Sequence, residues 1–196
     1  MKKKIKKGFQ KTINVKYRIT IFTIFLLLVY GIGLWHFKVI GDKVSIIEGL
    51  NVANQNKIEL EQNIEEMVAG YPIEKMTPYI IEKDSRVAAF IVSIAKKESN
   101  WGKRVPVLNG EDCFNYWGYR GGGEKVATGG YTCFDTREEA VDAIGGRISE
   151  LIKKYDLTTP EDMIIWKCGS TCAGHSNQGV RKWILDVGYY FEKLYK

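Results

Sequence analysis

Histidine is scarce in this chain: His36 and His175 are the only two. His36 falls in an apolar run near the N-terminus and reads as a membrane-interface residue. That leaves His175 alone for the rest of the chain, which excludes a multi-histidine metal site. Acidic residues are missing from residues 1–18, where Lys2, Lys3, Lys4, Lys6, Lys7, Lys11, Lys16 and Arg18 stand unopposed. Setting those eight aside from the 29 basic residues leaves 21, against 23 acids. The formal charge of +6 therefore belongs to a tail, and no nucleic-acid partner is indicated. Internal repeats and βαβ alternation are also lacking, which argues against repeat arrays and doubly wound α/β folds.

Charge of either sign is missing from residues 19–37, "ITIFTIFLLLVYGIGLWHF". At ~1.5 Å per residue, a helix of this length just spans a hydrocarbon core of roughly 30 Å. Eight cations precede it, and only Lys38 and Lys43 follow closely. The positive-inside rule then places the N-terminus in the cytoplasm and the remainder outside, as a single-pass protein of the cell membrane. Tyr17 and Trp35 suit the two interfaces. No small-x-small cleavage site follows the run, so an uncleaved signal anchor is expected rather than a removed leader. Cysteine is absent before Cys113. All four, Cys113, Cys133, Cys168 and Cys172, lie beyond the span, where an even number reads as two disulfides. Proximity favours Cys113 with Cys133 and Cys168 with Cys172, among three possible connectivities.

Four segments are expected: a basic tail (1–18), the anchor (19–37), an extracytoplasmic helical stalk (38–70) and a catalytic domain (71–196). In the stalk, Val44, Ile47, Leu50, Leu60, Ile64 and Met67 give a helical spacing that Gly49 and the Asn-rich middle interrupt. Gly70-Tyr71-Pro72 ends it. Thr77-Pro78 opens a short helix through Lys83. Asp84 or Ser85 caps the next helix, whose apolar stripe is Val87, Phe90, Ile91 and Ile94. Residues 105–135 are glycine-rich with aromatic stretches, which predicts a small β-hairpin region closed by Cys113 and Cys133. Thr136-Arg137-Glu138-Glu139 is a capping box opening a helix to about Tyr155. Thr159-Pro160-Glu161-Asp162 opens another, ending near Cys168, and a last helix begins near Val180. The class is α+β and mainly helical, preceded by one transmembrane helix.

Counting along the stripe, Val87, Ile91, Ile94 and Glu98 are separated by four, three and four residues, so they share one helix face. Glu98 is a carboxyl at the end of an apolar stripe. It either turns to water or works as an acid that holds a proton for a leaving oxygen. "ESNWG" at residues 98–102 resembles the Glu-Ser-x-x-Gly signature of the lysozyme-like glycosidases, which include lytic transglycosylases and bacterial cell-wall glucosaminidases. "NYWGYRG" at residues 115–121 is similar to a stretch of the glucosaminidase branch. "YTCFDTREEAVDAI" at residues 131–144 resembles the aromatic strand and capped helix that follow it there. The match covers roughly residues 85–150.

The resemblance implies a two-lobed lysozyme-like fold with a sugar-binding cleft. It implies peptidoglycan glycan strands as substrate, cleavage of their β-1,4 bonds, and Glu98 as general acid. No metal and no cofactor is implied. Ser99 and Asn115 are candidate sugar contacts, Asn115 equally a clamp on the backbone. Trp101, Tyr116, Trp117 and Tyr119 are candidate stacking faces for sugar rings. Alternation along "NYWGY" sets Tyr116 and Gly118 on one side and Trp117 and Tyr119 on the other, so about half should line a cleft. A second carboxylate is needed for inversion or double displacement, with Glu111, Asp112, Glu124 and Asp135 as candidates and Glu124 the best placed. A lytic transglycosylase needs none, because the substrate's N-acetyl or 6-hydroxyl group completes the reaction.

Three rivals remain at this level. Cys168, Cys172 and His175 have spacing that suits three zinc ligands. Cys113 and His175 can be drawn as a nucleophile and base. A non-catalytic peptidoglycan-binding or envelope-assembly protein would keep the fold without the reaction. The oligomeric state is not legible.

Overall fold

The computed structural model describes residues 2–195, with side chains described at residue 17 and residues 20–195. The other side chains of the basic tail lie outside the described residues. The chain divides into two compact units, Met1–Asn54 and Gln55–Lys196.

Helix α1 (Lys2–Val68) contributes to both. The sequence predicts an anchor and a separate, interrupted stalk, whereas the structure has one helix. No proline occurs before Pro72, and Gly49 in a helix costs about 1 kcal/mol without breaking it. In the first unit the apolar side chains of α1, from Ile21 to Phe37, are exposed. The stretch is long and apolar enough to cross a membrane, and none of its most apolar window is buried within the protein.

The second unit starts earlier than residue 71. The last turns of α1 bury Leu60, Ile64 and Val68, each four residues from the next, and these join the core. A 3-10 turn (Pro72–Met76) and the single turn of α2 (Thr77–Ile80) follow. Helix α2 stops before Lys83 because Asp84 must be extended to cap the next helix, and its side chain accepts from Arg86 N at 3.0 Å.

Helix α3 (Ser85–Ser99) is the centre of the fold. It buries nine consecutive residues, Val87 to Ala95, rather than one stripe. Such a helix needs partners on several sides. Helix α4 (Arg137–Tyr155) and helix α6 (Asn177–Leu194) provide them. On α6 the buried face is Trp183, Val187, Phe191 and Leu194, and Phe191 meets Phe90 at a ring separation of 4.2 Å. The capping box of α4 forms: Thr136 Oγ1 accepts from Glu139 N at 3.1 Å. Glu139 reaches back to Asp135 N, at 2.7 Å, one residue before the cap.

Between α3 and α4 lie two short antiparallel hairpins. Strand β1 (Val107–Leu108) pairs with β2 (Glu111–Asp112), with Leu108 opposite Glu111. Strand β3 (Val126–Ala127) pairs with β4 (Tyr131–Thr132), with Ala127 opposite Tyr131. The Cys113–Cys133 disulfide ties the chain leaving β2 to the chain leaving β4. The helix expected from residue 159 is split into a 3-10 turn (Asp162–Ile164) and the single turn α5 (Ile165–Cys168). Asp162 caps this segment by accepting from Thr158 N and Thr159 N, both at 3.0 Å. The Thr158 N–H above all, with the Thr159 hydroxyl, holds its carboxyl below the usual range. The Cys168–Cys172 disulfide closes the loop that leads to α6.

Candidate active site

The site is built where α3 ends. Asn100 and Trp101 take left-handed backbone angles (φ 54° and 57°) and terminate the helix at Ser99. Ser99 is 2 % exposed, and its hydroxyl serves this turn: it donates to Ala95 O at 3.0 Å and accepts from Gly102 N at 2.8 Å. Gly102 has φ 89°, and a Cβ there would meet the Tyr116 ring at 2.7 Å. "ESNWG" is therefore a helix ending whose glycine lets the Tyr116 ring approach. Its first residue, Glu98, continues the stripe and is half-buried.

Glu98 lies half-buried between two cavities, each of about 440 Å³. Both are lined by Glu98, Gly118 and Tyr131, so they form one cleft with the carboxyl at its middle. Trp183 on α6 is fully buried, and its indole N–H donates to Glu98 Oε1 at 2.6 Å. The other oxygen, Oε2, is 3.9 Å from the place a Cβ would occupy on Gly118. Gly118 itself is exposed with φ 65°, and the Tyr131 ring stands 3.9 Å from the same point. A side chain at Gly118 would thus enter the space between the carboxyl and Tyr131. At the residue before Glu98, Lys97 pairs at 2.6 Å with Asp186, about one turn beyond Trp183 on α6. Partial burial works against that carboxylate, but hydrogen bonds from Lys97 and Lys182 outweigh it and hold Asp186 below its ordinary pKa. Two polar ties, Trp183 to Glu98 and Asp186 to Lys97, therefore fix α6 against the end of α3.

The β-region supplies the facing wall. Asn115 is 1 % exposed at the wall of the cavity on the Arg104 side, and its side-chain hydrogen bonds are all to backbone. It donates to Tyr119 O and Thr132 O, each at 2.8 Å, and accepts from Tyr119 N at 2.9 Å. This clamp sets the turn that carries Gly118 and ties it beside Tyr131. Asn115→Ala is expected to take this partner from Tyr119 N and Thr132 O, while Tyr119 O keeps its bond from Thr132 N, and to destabilise the fold by about 1–3 kcal/mol, measured by urea unfolding. A variant with unchanged stability and lost glycan binding would instead make Asn115 a ligand contact.

The remaining candidates separate clearly. Trp117 and Tyr119 line the cleft; Trp101 and Tyr116 line neither cavity. Trp117 is buried, donating to Ile91 O at 2.8 Å. Tyr119 is half-buried and stacks on Trp166 with ring centres 6.0 Å apart. Trp101 packs in the core and donates to Val92 O at 2.9 Å. Tyr116 is buried and donates to Asp112 at 3.0 Å; burial first, then the Asp112 charge, hold its phenol well above the usual range. Strict alternation fails in this stretch because residues 115–119 form a turn, and Gly118 reaches the cleft with Trp117 and Tyr119.

None of the four candidate second carboxylates lines the cleft. Glu124 is exposed in the glycine-rich loop before β3, and Glu111 is exposed on β2. Asp112 is held by Tyr116 and by Phe114 N, and Asp135 pairs with Lys125. Glu98 is the only carboxylate in the lining of either cavity.

The zinc and Cys–His readings lose their ligands, because disulfides occupy all four sulfurs. Among the described residues, no group of three His, Cys, Asp or Glu is placed to hold a metal.

Sequence reasoning missed Trp183, Tyr131, Trp166 and Gly118. Trp183 had one usable signal: a buried indole must find an acceptor. No family model matches the chain, and no curated protein and no solved structure matches it.

Proposed function

We propose that the chain is a membrane-anchored enzyme that cleaves the β-1,4 bonds of peptidoglycan glycan strands, with Glu98 as general acid and base. The observation that carries this reading is a single carboxyl at the middle of an open cleft, held from behind by a buried indole. The Trp183 N–H occupies Oε1 as a donor, so a proton on the carboxyl sits on Oε2, the oxygen nearer Gly118. That proton passes to the glycosidic oxygen as the C1–O bond breaks. A second carboxylate in the cleft would favour hydrolysis by inversion or double displacement; the lining offers none. The route that fits is intramolecular. The sugar's 6-hydroxyl attacks C1, Glu98 takes its proton, and a 1,6-anhydro sugar forms with the acid restored. Tyr119, Tyr131 and Trp166 supply the aromatic faces on which pyranose rings stack.

The apolar helix serves as the anchor in this reading. The unopposed cations before it put the N-terminus inside, and the two disulfides suit a domain outside the cytoplasm.

The test uses the full chain in detergent micelles, incubated with purified sacculi, and mass spectrometry of the soluble products. Anhydro-sugar ends are expected. Products with reducing ends would show hydrolysis and call for a second carboxylate or a held water. An absence of soluble products would leave a non-catalytic binding protein.

A further inference from the structure

The two halves of the cleft differ in charge. On one side of Glu98 the lining is nearly neutral, with Val105, Pro106, Val107 and Ala127 and the single cation Arg104. On the other side it holds Arg120, Arg147, Lys167 and His175.

Arg120 lines the cationic half only and is fixed there by Tyr131, which lines both halves. Its guanidinium lies 4.5 Å from the centre of the Tyr131 ring and donates to the Tyr131 hydroxyl at 2.9 Å. Lys167 is half-buried on α5 and enters no ion pair among the described residues. The Cys168–Cys172 disulfide begins at the next residue and holds the chain there. Arg147 reaches Glu150 at 2.7 Å, an exposed pair three residues apart on α4. Such a pair contributes little and is readily exchanged for a ligand carboxylate. Between these cations, Trp166 and Tyr119 present stacked rings. Several cations converging on one concave wall repel each other and focus a positive potential on whatever enters. A neutral ligand gains nothing from that arrangement; an anionic one does.

We propose that this wing binds a carboxylate-bearing substituent of the sugar lying next to the bond that is cleaved. The inference rests on the glycan-cleaving reading above and adds the register of the strand. Peptidoglycan alternates a neutral N-acetyl sugar with one that carries a lactyl ether extended by an acidic peptide. Laid across Glu98, such a strand places its acid-bearing sugar against Arg147 and Lys167 and its neutral sugar beside Arg104. Only every second bond is then cut. Lys167 and Arg147 act as specificity-determining residues, through charge-assisted hydrogen bonds to the carboxylate.

Binding of the full-length Glu98→Gln chain in detergent micelles is measured with three fragments of equal length. The first is a peptide-bearing strand, the second the same strand after amidase treatment, which leaves only the lactyl carboxylate, and the third an N-acetylglucosamine oligomer. The peptide-bearing strand is expected to bind about tenfold more tightly than the oligomer, with added salt narrowing the gap. Adding Lys167→Ala and Arg147→Ala should bring the ratio towards one. Tight binding of the amidase-treated strand would identify the lactyl group as the anion, and its loss would identify the peptide. Equal affinity for all three fragments, in a chain whose parent still cleaves sacculi, would overturn the inference and leave the enzyme reading intact. No binding to any fragment, together with no cleavage, would remove both.

Discussion

Glu98→Gln in the full chain is expected to slow release of soluble glycan from sacculi by about 10³-fold, the usual worth of a general acid. Its thermal midpoint should stay within about 2 °C of the parent, because the substitution is isosteric and local. The amide oxygen can still accept from the Trp183 indole, so the contact that anchors Glu98 to α6 survives. What is lost is the exchangeable proton on the side facing Gly118. Glu98→Asp makes a useful second variant. It keeps the acid but withdraws it by one methylene, so it should lose both the Trp183 contact and most of the activity. A Gln variant that digests sacculi as fast as the parent would remove Glu98 from the chemistry. It would leave the cleft as a binding groove.

The placement of Glu98 was legible for physical reasons. An apolar spacing of four, three and four carried the stripe to the carboxyl, and Asp84 marked where the helix must start. The capped helix from Thr136 was legible in the same way, since a capping box marks the start of Arg137–Tyr155. Local patterns thus located the elements and the Glu98 carboxyl. They did not locate its surroundings, because those are set by residues far apart in the chain. Trp183 is 85 positions from Glu98, and nothing near either residue reports their meeting. Tyr131 reaches the cleft through the Asn115 clamp and the Cys113–Cys133 tie, which act across 17 and 20 residues. The aromatic-rich "NYWGY" drew attention to Tyr116, yet its ring fills the space that Gly102 leaves open. The stop of α1 before Gly70-Tyr71-Pro72 was legible, but the packing of its last turns into the globular unit was not. Gly49 and the asparagines weaken the upstream spacing, while Leu60, Ile64 and Val68 keep a regular four-residue step and bury it in the globular unit.

Trp183→Phe is expected to lower kcat about 10- to 100-fold, with a much smaller change in KM, because a carboxyl displaced by about 1 Å loses alignment with the leaving oxygen. Phenylalanine fills most of the apolar volume but cannot donate a hydrogen bond. Glu98 Oε1 is left without its partner, and the carboxyl is free to rotate away from the cleft. Trp183 is fully buried, so the variant should also lose about 1–3 kcal/mol of stability. That loss alone would not show a positioning role, and Trp101→Phe provides the control. Trp101 is also buried, and its indole N–H also caps an oxygen, that of Val92, but it lines neither cavity. Trp101→Phe should therefore lower stability by a similar amount with kcat nearly unchanged. A second comparison uses the pair with Glu98→Gln. If Trp183 acts only through the carboxyl, Trp183→Phe adds little further loss of rate once the acid is gone, while the stability costs still add. Equal falls in kcat for both tryptophan variants would reduce Trp183 to a core residue. Separate falls, coupled to Glu98 in the double variant, would make it the residue that aims the acid.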